Sequence, residues 1–323
     1  YKVGVFTSPH LIHHTERIRV NDTCISLADW ERIYDQYEEL FSFHKMTMFE
    51  MDLWMSLAYF IEQQVDYCII EAGMGGRLDA TTALDYQACL VTNVGLDHTE
   101  YLGNTFEQIA YEKSGIFKPN VPALTTEDKP ECQKVMELVA DYMNTPLCFI
   151  DCQETDVLRW NGMTFHLNPP LYQAKNLSLA LETLNVLGIW LEENEIQEVI
   201  DHFQWAGRFM VLRKAPLVLL DGAHNVHGIT ALTHSLKDFK GKIYFSVLKE
   251  KDAPHMIELL QTISKDITLV EISSARLYPL KKLGYPIITV DELISRLLDA
   301  KEDSLLCGSL YYVGEVLEKW GNV

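Results

Sequence analysis

Apolar and polar positions alternate in two rhythms along the chain. Continuous apolar runs of strand length occur at "VDYCIIEAG" and "QACLVTNVG", the pattern of strands covered on both faces. Helical spacing governs "SLADWERIYDQYEEL", where Ser26 is the natural N-cap, and the more apolar "MFEMDLWMSLAYFIEQQ". "YKVGVFTSPH" predicts a short strand entering a loop that Pro9 stops. "TFEQIAYEKSGIF" predicts a helix leading to the strand "VPALTTE", and "YQAKNLSLALETLNVLG" and "ENEIQEVIDHF" predict two more helices. The pattern shifts at "QWAGRFMVLRKAP". A fresh series follows, with strands at "LVLLDGA", "KIYFSVL", "ITLVEIS", "PIITV" and "DSLLCGS". Helices over "GITALTHSLKDF", "APHMIELLQTI", "DELISRLLDA" and "YVGEVLEKW" interleave with them. Such alternation predicts an α/β fold of βαβ units with mostly parallel sheets. Two domains are expected, 1–206 and 207–323, meeting near Gly207.

Composition narrows the function. The chain has 323 residues, 46 acidic and 27 basic, a formal net charge of −19. So acidic a surface argues against binding a phosphate backbone, so no nucleic-acid partner is expected. Any anionic ligand must be held by local basic residues, backbone amides or metal ions. The seven cysteines are an odd number, dispersed and without a CxxC pair, which fits a reduced cytosolic protein. No signal peptide and no apolar run of membrane length is visible, so a cytoplasmic protein without a membrane partner is expected.

In open α/β sheets ligands bind beyond the carboxyl ends of strands, and the polar clusters of this chain fall there. Glu71 ends one apolar strand and is followed by "AGMGGRLDATT". Asp97 and His98 follow the next, in "VTNVGLDHTEYLG". Asp221, His224 and Asn225 end the first strand after the boundary, in "LLDGAHN". Each has a plain structural reading. Glu71 could cap a helix or pair with an arginine, and His98 could be a satisfied, partly buried histidine. Lys113 could be a solvated lysine at a helix end, and Asp221 an N-cap. Against these stand the glycines after Glu71, which let backbone approach a ligand closely. Glu71 and His98 at consecutive strand ends, with a serine hydroxyl, would also make a partial shell for Mg²⁺.

The ordered series "FTSPHL", "EAGMGGRLDATT", "TNVGLDHTEYLG", "EKSGIFK", "YQAKNLSLAL", "WAGRF", "LDGAHN" and "CGSLYYVGEV" strongly resembles the folylpolyglutamate synthase and dihydrofolate synthase family, kin of the Mur peptide ligases. The resemblance runs from residue 1 to the last helix. It implies a Mur-ligase-like ATPase domain followed by a smaller Rossmann-like domain, with ATP in the cleft between them. The implied activity is ATP- and Mg²⁺-dependent addition of L-glutamate to folate or dihydropteroate through an acyl phosphate, by a monomer whose partners are small molecules. By the same resemblance Ser8, Glu71 and His98 match the Mg²⁺ ligands, and Lys113 matches a lysine carried as a carbamate. Asn176, Arg208 and Asp221 match ATP contacts, with His224 beside them. Thr47, Met48, Phe49 and Glu50, with Leu78, Asp79 and Ala80, match stretches lining the pterin site.

One element of the family pattern has no counterpart. A phosphate-binding G-x-x-x-x-G-K-[ST] stands nowhere in the chain, and the resemblance places it about one helix ahead of "YKVGVFTSPH". The first domain is therefore expected to be N-terminally incomplete, and the chain as given to be inactive in ATP hydrolysis and folate extension. Two other readings remain at this stage. One is a different Mur-type ligase acting on a cell-wall nucleotide, against which "TSPHL" and "DGAHN" argue. The other is a non-catalytic nucleotide- or folate-binding remnant.

Overall fold

The computed structural model describes residues 1–168 and 170–321. Contacts divide the chain into two compact units, Tyr1–Asp151 and Cys152–Val323. The first holds β1 (Val3–Phe6), β2 (Ile18–Val20), β3 (Thr23–Cys24), α1 (Leu27–His44), α2 (Met48–Gln63) and β4 (Tyr67–Ile70). It continues with β5 (Cys89–Val91), α3 (Thr99–Leu102), α4 (Phe106–Ser114), β6 (Ala123–Thr125), α5 (Pro130–Met143) and β7 (Leu147–Phe149). The second opens with β8 (Val157–Trp160), β9 (Met163–His166), α6 (Gln173–Val186), α7 (Glu193–His202), β10 (Met210–Lys214) and β11 (Leu217–Leu220). Then come α8 (Val226–Ser235), β12 (Lys242–Phe245), α9 (Ala253–Leu260), β13 (Ile267–Glu271), β14 (Ile287–Thr289), α10 (Val290–Leu298), β15 (Ser304–Cys307) and α11 (Leu310–Trp320).

The helix boundaries follow local chemistry. Ser26 accepts from the Asp29 amide at 3.0 Å and starts α1. Thr47 and Glu50 form a reciprocal capping box that starts α2. Both helices end on a residue in the left-handed conformation, Lys45 and Gln64. They bury Ile33, Phe41, Met55 and Phe60 against Phe6 and Ile18 of a four-stranded sheet ordered β3-β2-β1-β4. A separate parallel sheet, β5-β6-β7, carries α4 and α5, which enclose Ile109, Cys132 and Met136.

The second unit is built on a six-stranded sheet ordered β10-β11-β15-β12-β13-β14, antiparallel only at the β10 edge. Its first strand begins at Met210, close to the boundary expected from the sequence. The contact division falls earlier, because residues 152–206 group with this sheet. The β8–β9 hairpin buries Leu158 and Phe165 against Leu181 and Ile196 of α6 and α7. Within the unit, His234 Nδ1 lies 2.9 Å from Glu154 Oε2, and the Leu171 amide donates to Ser235 Oγ at 3.3 Å.

One expectation fails. "VDYCIIEAG" and "QACLVTNVG" read as strands covered on both faces, yet Ile69 is 58 % and Leu90 40 % exposed. Among the described residues β4 pairs only with β1, and β5 only with β6. Each is an apolar sheet edge, a form that promotes edge-to-edge association. In the 323-residue chain, Ile69→Lys with Leu90→Lys is expected to lower self-association. Sedimentation across a concentration series checks this, and an unchanged profile would mean that these edges do not drive association.

Candidate functional site

Parallel pairing puts Phe6 beside Ile70, so Ser8 and Glu71 leave the four-stranded sheet side by side. The Glu71 amide donates to the Phe6 carbonyl at 2.9 Å, and the Ser8 amide donates to Glu71 Oε2 at 3.0 Å. The strand β5 delivers a second turn to the same neighbourhood. The Thr126 hydroxyl donates to the Thr92 carbonyl at 2.6 Å, and the buried Glu127 carboxylate accepts from the Val94 amide. These bonds fix the course of residues 92–98. Asp97 accepts from the His98 amide at 2.9 Å, and His98 opens α3 in the left-handed conformation, φ 50°.

Lys113, in the last turn of α4, faces both turns. Burial holds its amine below the ordinary lysine pKa, while the Asp97 and Glu71 carboxylates pull the other way. Glu71, Asp97 and Lys113 are thus one electrostatic cluster where β4 and β5 end. Lys113 is accordingly not the solvated helix-end lysine of the plain reading. Among the described residues no three His, Cys, Asp or Glu side chains form a ready-made metal cluster. Ser8, Glu71 and His98 offer a hydroxyl, a carboxylate and an imidazole. That sparse set suits a hard divalent ion that keeps waters and takes phosphate oxygens from its substrate.

The glycine-rich turn has a different use from an open phosphate cradle. The Gly73 and Met74 amides donate to Asp79 Oδ2 at 2.9 and 3.0 Å, and Asp79 Oδ1 accepts from the Thr81 amide at 3.0 Å. An internal carboxylate occupies these donors. Gly73 has no side chain because the Phe49 ring is there: a Cβ would lie 2.8 Å from it. The two stretches Thr47–Glu50 and Leu78–Ala80 therefore meet around Gly73. Within them Thr47 and Glu50 are engaged in the cap, Met48 and Leu78 are exposed, and Ala80 packs on the core beneath.

The second unit brings its own candidates together. Asp221, 3 % exposed, accepts from the Phe209 amide at 2.8 Å and from the Ala223 amide at 2.7 Å. Burial raises its carboxyl pKa, while these amides, Arg208 and His224 act to lower it. Gly222 lets the Leu310 and Arg208 side chains close in on the backbone, since a Cβ there would lie 2.4 Å from Leu310 Cδ2 and 3.0 Å from Arg208 Nη1. His224 Nδ1 stands 2.8 Å from the Gly222 carbonyl. A carbonyl only accepts, so the proton is on Nδ1 in the neutral ring. Asn225, not Asp221, caps α8, accepting from the Gly228 amide at 2.7 Å. Asn176 is exposed on α6 and donates to Gln173 Oε1 at 2.9 Å.

The sequence reading overlooked Tyr172, whose hydroxyl pKa is raised by burial and by the neighbouring Asp221 carboxylate. Its place one helical turn before Asn176 was the available signal.

The Mur ligase middle domain family matches residues 29–168. The dihydrofolate synthase/folylpolyglutamate synthase of Escherichia coli is 31% identical over 345 residues, spanning 98% of this chain and 80% of that protein. The structure of E. coli FolC in complex with DHPP and ADP matches at TM-score 0.87 with 28% identity, over 100% of this chain and 82% of the other. A bifunctional folylpolyglutamate synthase/dihydrofolate synthase from Yersinia pestis, complexed with AMPPNP and Mn ion, matches at TM-score 0.88 with 26% identity, over 99% and 82%.

Proposed function

The chain belongs to the dihydrofolate synthase/folylpolyglutamate synthase family, ATP-dependent ligases that join glutamate to folates, and from that premise we propose how its own residues serve the reaction. ATP phosphorylates the carboxylate of dihydropteroate or folate, and ADP leaves. The glutamate amine then adds to the acyl carbon, phosphate departs with the bonding pair, and the amine loses a proton as the amide forms. Little covalent work falls to the protein, so positioning and charge neutralisation dominate.

The cluster of Glu71, Asp97 and Lys113 at the ends of β4 and β5 carries this reading. Ser8, Glu71 and His98 would hold the divalent ion, which we take to be Mg²⁺. When bound, that ion supplies neutralisation of phosphate and carboxylate charge. Lys113 would serve as a carbamate, since burial favours the neutral amine that attacks CO₂ with loss of one proton. Arg208, Asn176 and His224 would contact the nucleotide. Asp221, held by the Phe209 and Ala223 amides, would keep the Arg208 turn in place. Thr47–Glu50 and Leu78–Ala80 would line the pterin site, with the Phe49 ring over Gly73 as its aromatic wall. A monomer contains every residue that this scheme uses. Among the described residues no helix is long and apolar enough to cross a membrane, which suits a cytoplasmic place of work.

The test is incorporation of labelled glutamate into 7,8-dihydropteroate and into tetrahydrofolate by the complete gene product. Incorporation is expected to require both ATP and a divalent ion, with Mg²⁺ sufficient. Absence of incorporation into either acceptor would overturn the reading.

A further inference from the structure

Away from the strand ends, a buried ionic network joins two parts of the first unit. Asp52, in the second turn of α2, is 2 % exposed. Its Oδ1 lies 2.6 Å from His14 Nε2, and its Oδ2 accepts from Arg17 Nη1 at 3.0 Å. Arg17, 8 % exposed, also donates from Nε to His10 Nδ1 at 3.0 Å. The partners stand 38 and 35 residues apart in sequence. The loop they grip is already stiff. The Thr7 amide donates to the Arg17 carbonyl at 3.0 Å and closes its base. Glu16 accepts from the amides of Leu11, Ile12 and His13 at 2.9, 3.0 and 2.7 Å. Ser8 stands in this loop, and α2 begins at Thr47–Glu50, one turn before Asp52.

Stability alone does not account for such a pair, because an apolar pair of similar volume in its place is often neutral or stabilising. What two-point contact on a buried carboxylate supplies is placement. We propose that Asp52 and Arg17 are positioning residues that lock the Ser8 loop to the start of α2, and so set the width of the pterin-carboxylate site between them. This rests on the folate-ligase reading above. A displacement on the order of 1 Å at a reacting group costs up to about a hundredfold in rate, and the same misplacement breaks binding contacts, so the lock is felt at the substrate before it is felt in folding.

The experiment measures binding of 7,8-dihydropteroate by fluorescence titration and of ADP by calorimetry, with thermal melting beside both, on the complete gene product. Asp52→Asn and Arg17→Lys are expected to weaken dihydropteroate about tenfold or more and to leave ADP, titrated without a divalent ion, unchanged, since Arg208, Asn176 and His224 lie in the other unit. The double variant Arg17→Met with Asp52→Leu is expected to keep the melting temperature near that of the unmodified protein and still lose dihydropteroate affinity. Leu53→Ala, a cavity in the same helix, is expected to lower the melting temperature and leave the affinity. Unaltered dihydropteroate affinity in Asp52→Asn and in the double variant would overturn the lock, as would a loss in Leu53→Ala matching theirs. No dihydropteroate binding by the unmodified protein would overturn instead the reading on which the lock rests.

Discussion

Glu71→Ala and His98→Ala are each expected to abolish ligation in the complete gene product while leaving the fold intact. The loss should be about 3 kcal/mol or more of transition-state stabilisation, the scale for removing one preorganised group that meets developing charge. Both residues follow strands whose hydrogen bonding does not use their side chains, so the sheets should survive. Glu71 also accepts from the Ser8 amide, and its loss should loosen the Ser8 loop as well. The measurement is kcat against Mg²⁺ concentration, with circular dichroism as the folding control. Near-normal kcat at ordinary Mg²⁺ in either variant would remove that residue from the metal site. A kcat restored by high Mg²⁺ would mark a loss of affinity for the ion and leave the assignment in place.

Lys113→Ala is expected to lower kcat about a hundredfold or more, equivalent to about 2.7 kcal/mol. The direction of the pKa shift sets the pH dependence. Burial favours the neutral amine over the ammonium, and only the neutral amine reacts with CO₂. Carbamate should therefore accumulate as pH rises through the lowered lysine pKa and disappear as pH falls below it. A ¹³C carbamate resonance from protein equilibrated with labelled bicarbonate reads this directly, and it should be missing from Lys113→Ala. A short carboxylate added to the variant should restore part of kcat, by placing a negative charge where the carbamate stood. No resonance at pH 8, together with wild-type kcat in Lys113→Ala, would leave the lysine a structural partner of Asp97 and Glu71.

The fold was legible where its causes are local. Ser26 announces α1, helical spacing announces α2, and the strand–helix alternation announces every strand of the six-stranded sheet except β10. The exposure of Ile69 and Leu90 was not legible, since an apolar run reports a preference for cover and not whether a neighbour supplies it. The β8–β9 hairpin escaped notice because two four-residue strands carry little periodicity. Within the candidate site, strand-end position singled out Glu71, His98 and Asp221. Asp52, Arg17 and His14 carried no such mark. Their meaning lies in a meeting of residues more than thirty positions apart, which no spacing rule encodes. Glu127 acts in the same way, by holding the Val94 amide thirty-three residues away.

Asp79 has a consequence for selectivity. Its carboxylate is tethered a few residues from the Gly73 and Met74 amides it binds, and so competes for them at an effective concentration in the millimolar range or above. A free anion at ordinary cellular levels starts at a disadvantage and would also have to strip Asp79 Oδ2 of both amide donors, leaving only the Thr81 bonds to Oδ1. The turn is thus self-inhibited toward anions, and the Phe49 ring that packs over Gly73 adds an apolar neighbour and no donor. A ligand that reaches this turn through its phosphate or carboxylate would have to evict a carboxylate that the chain itself supplies.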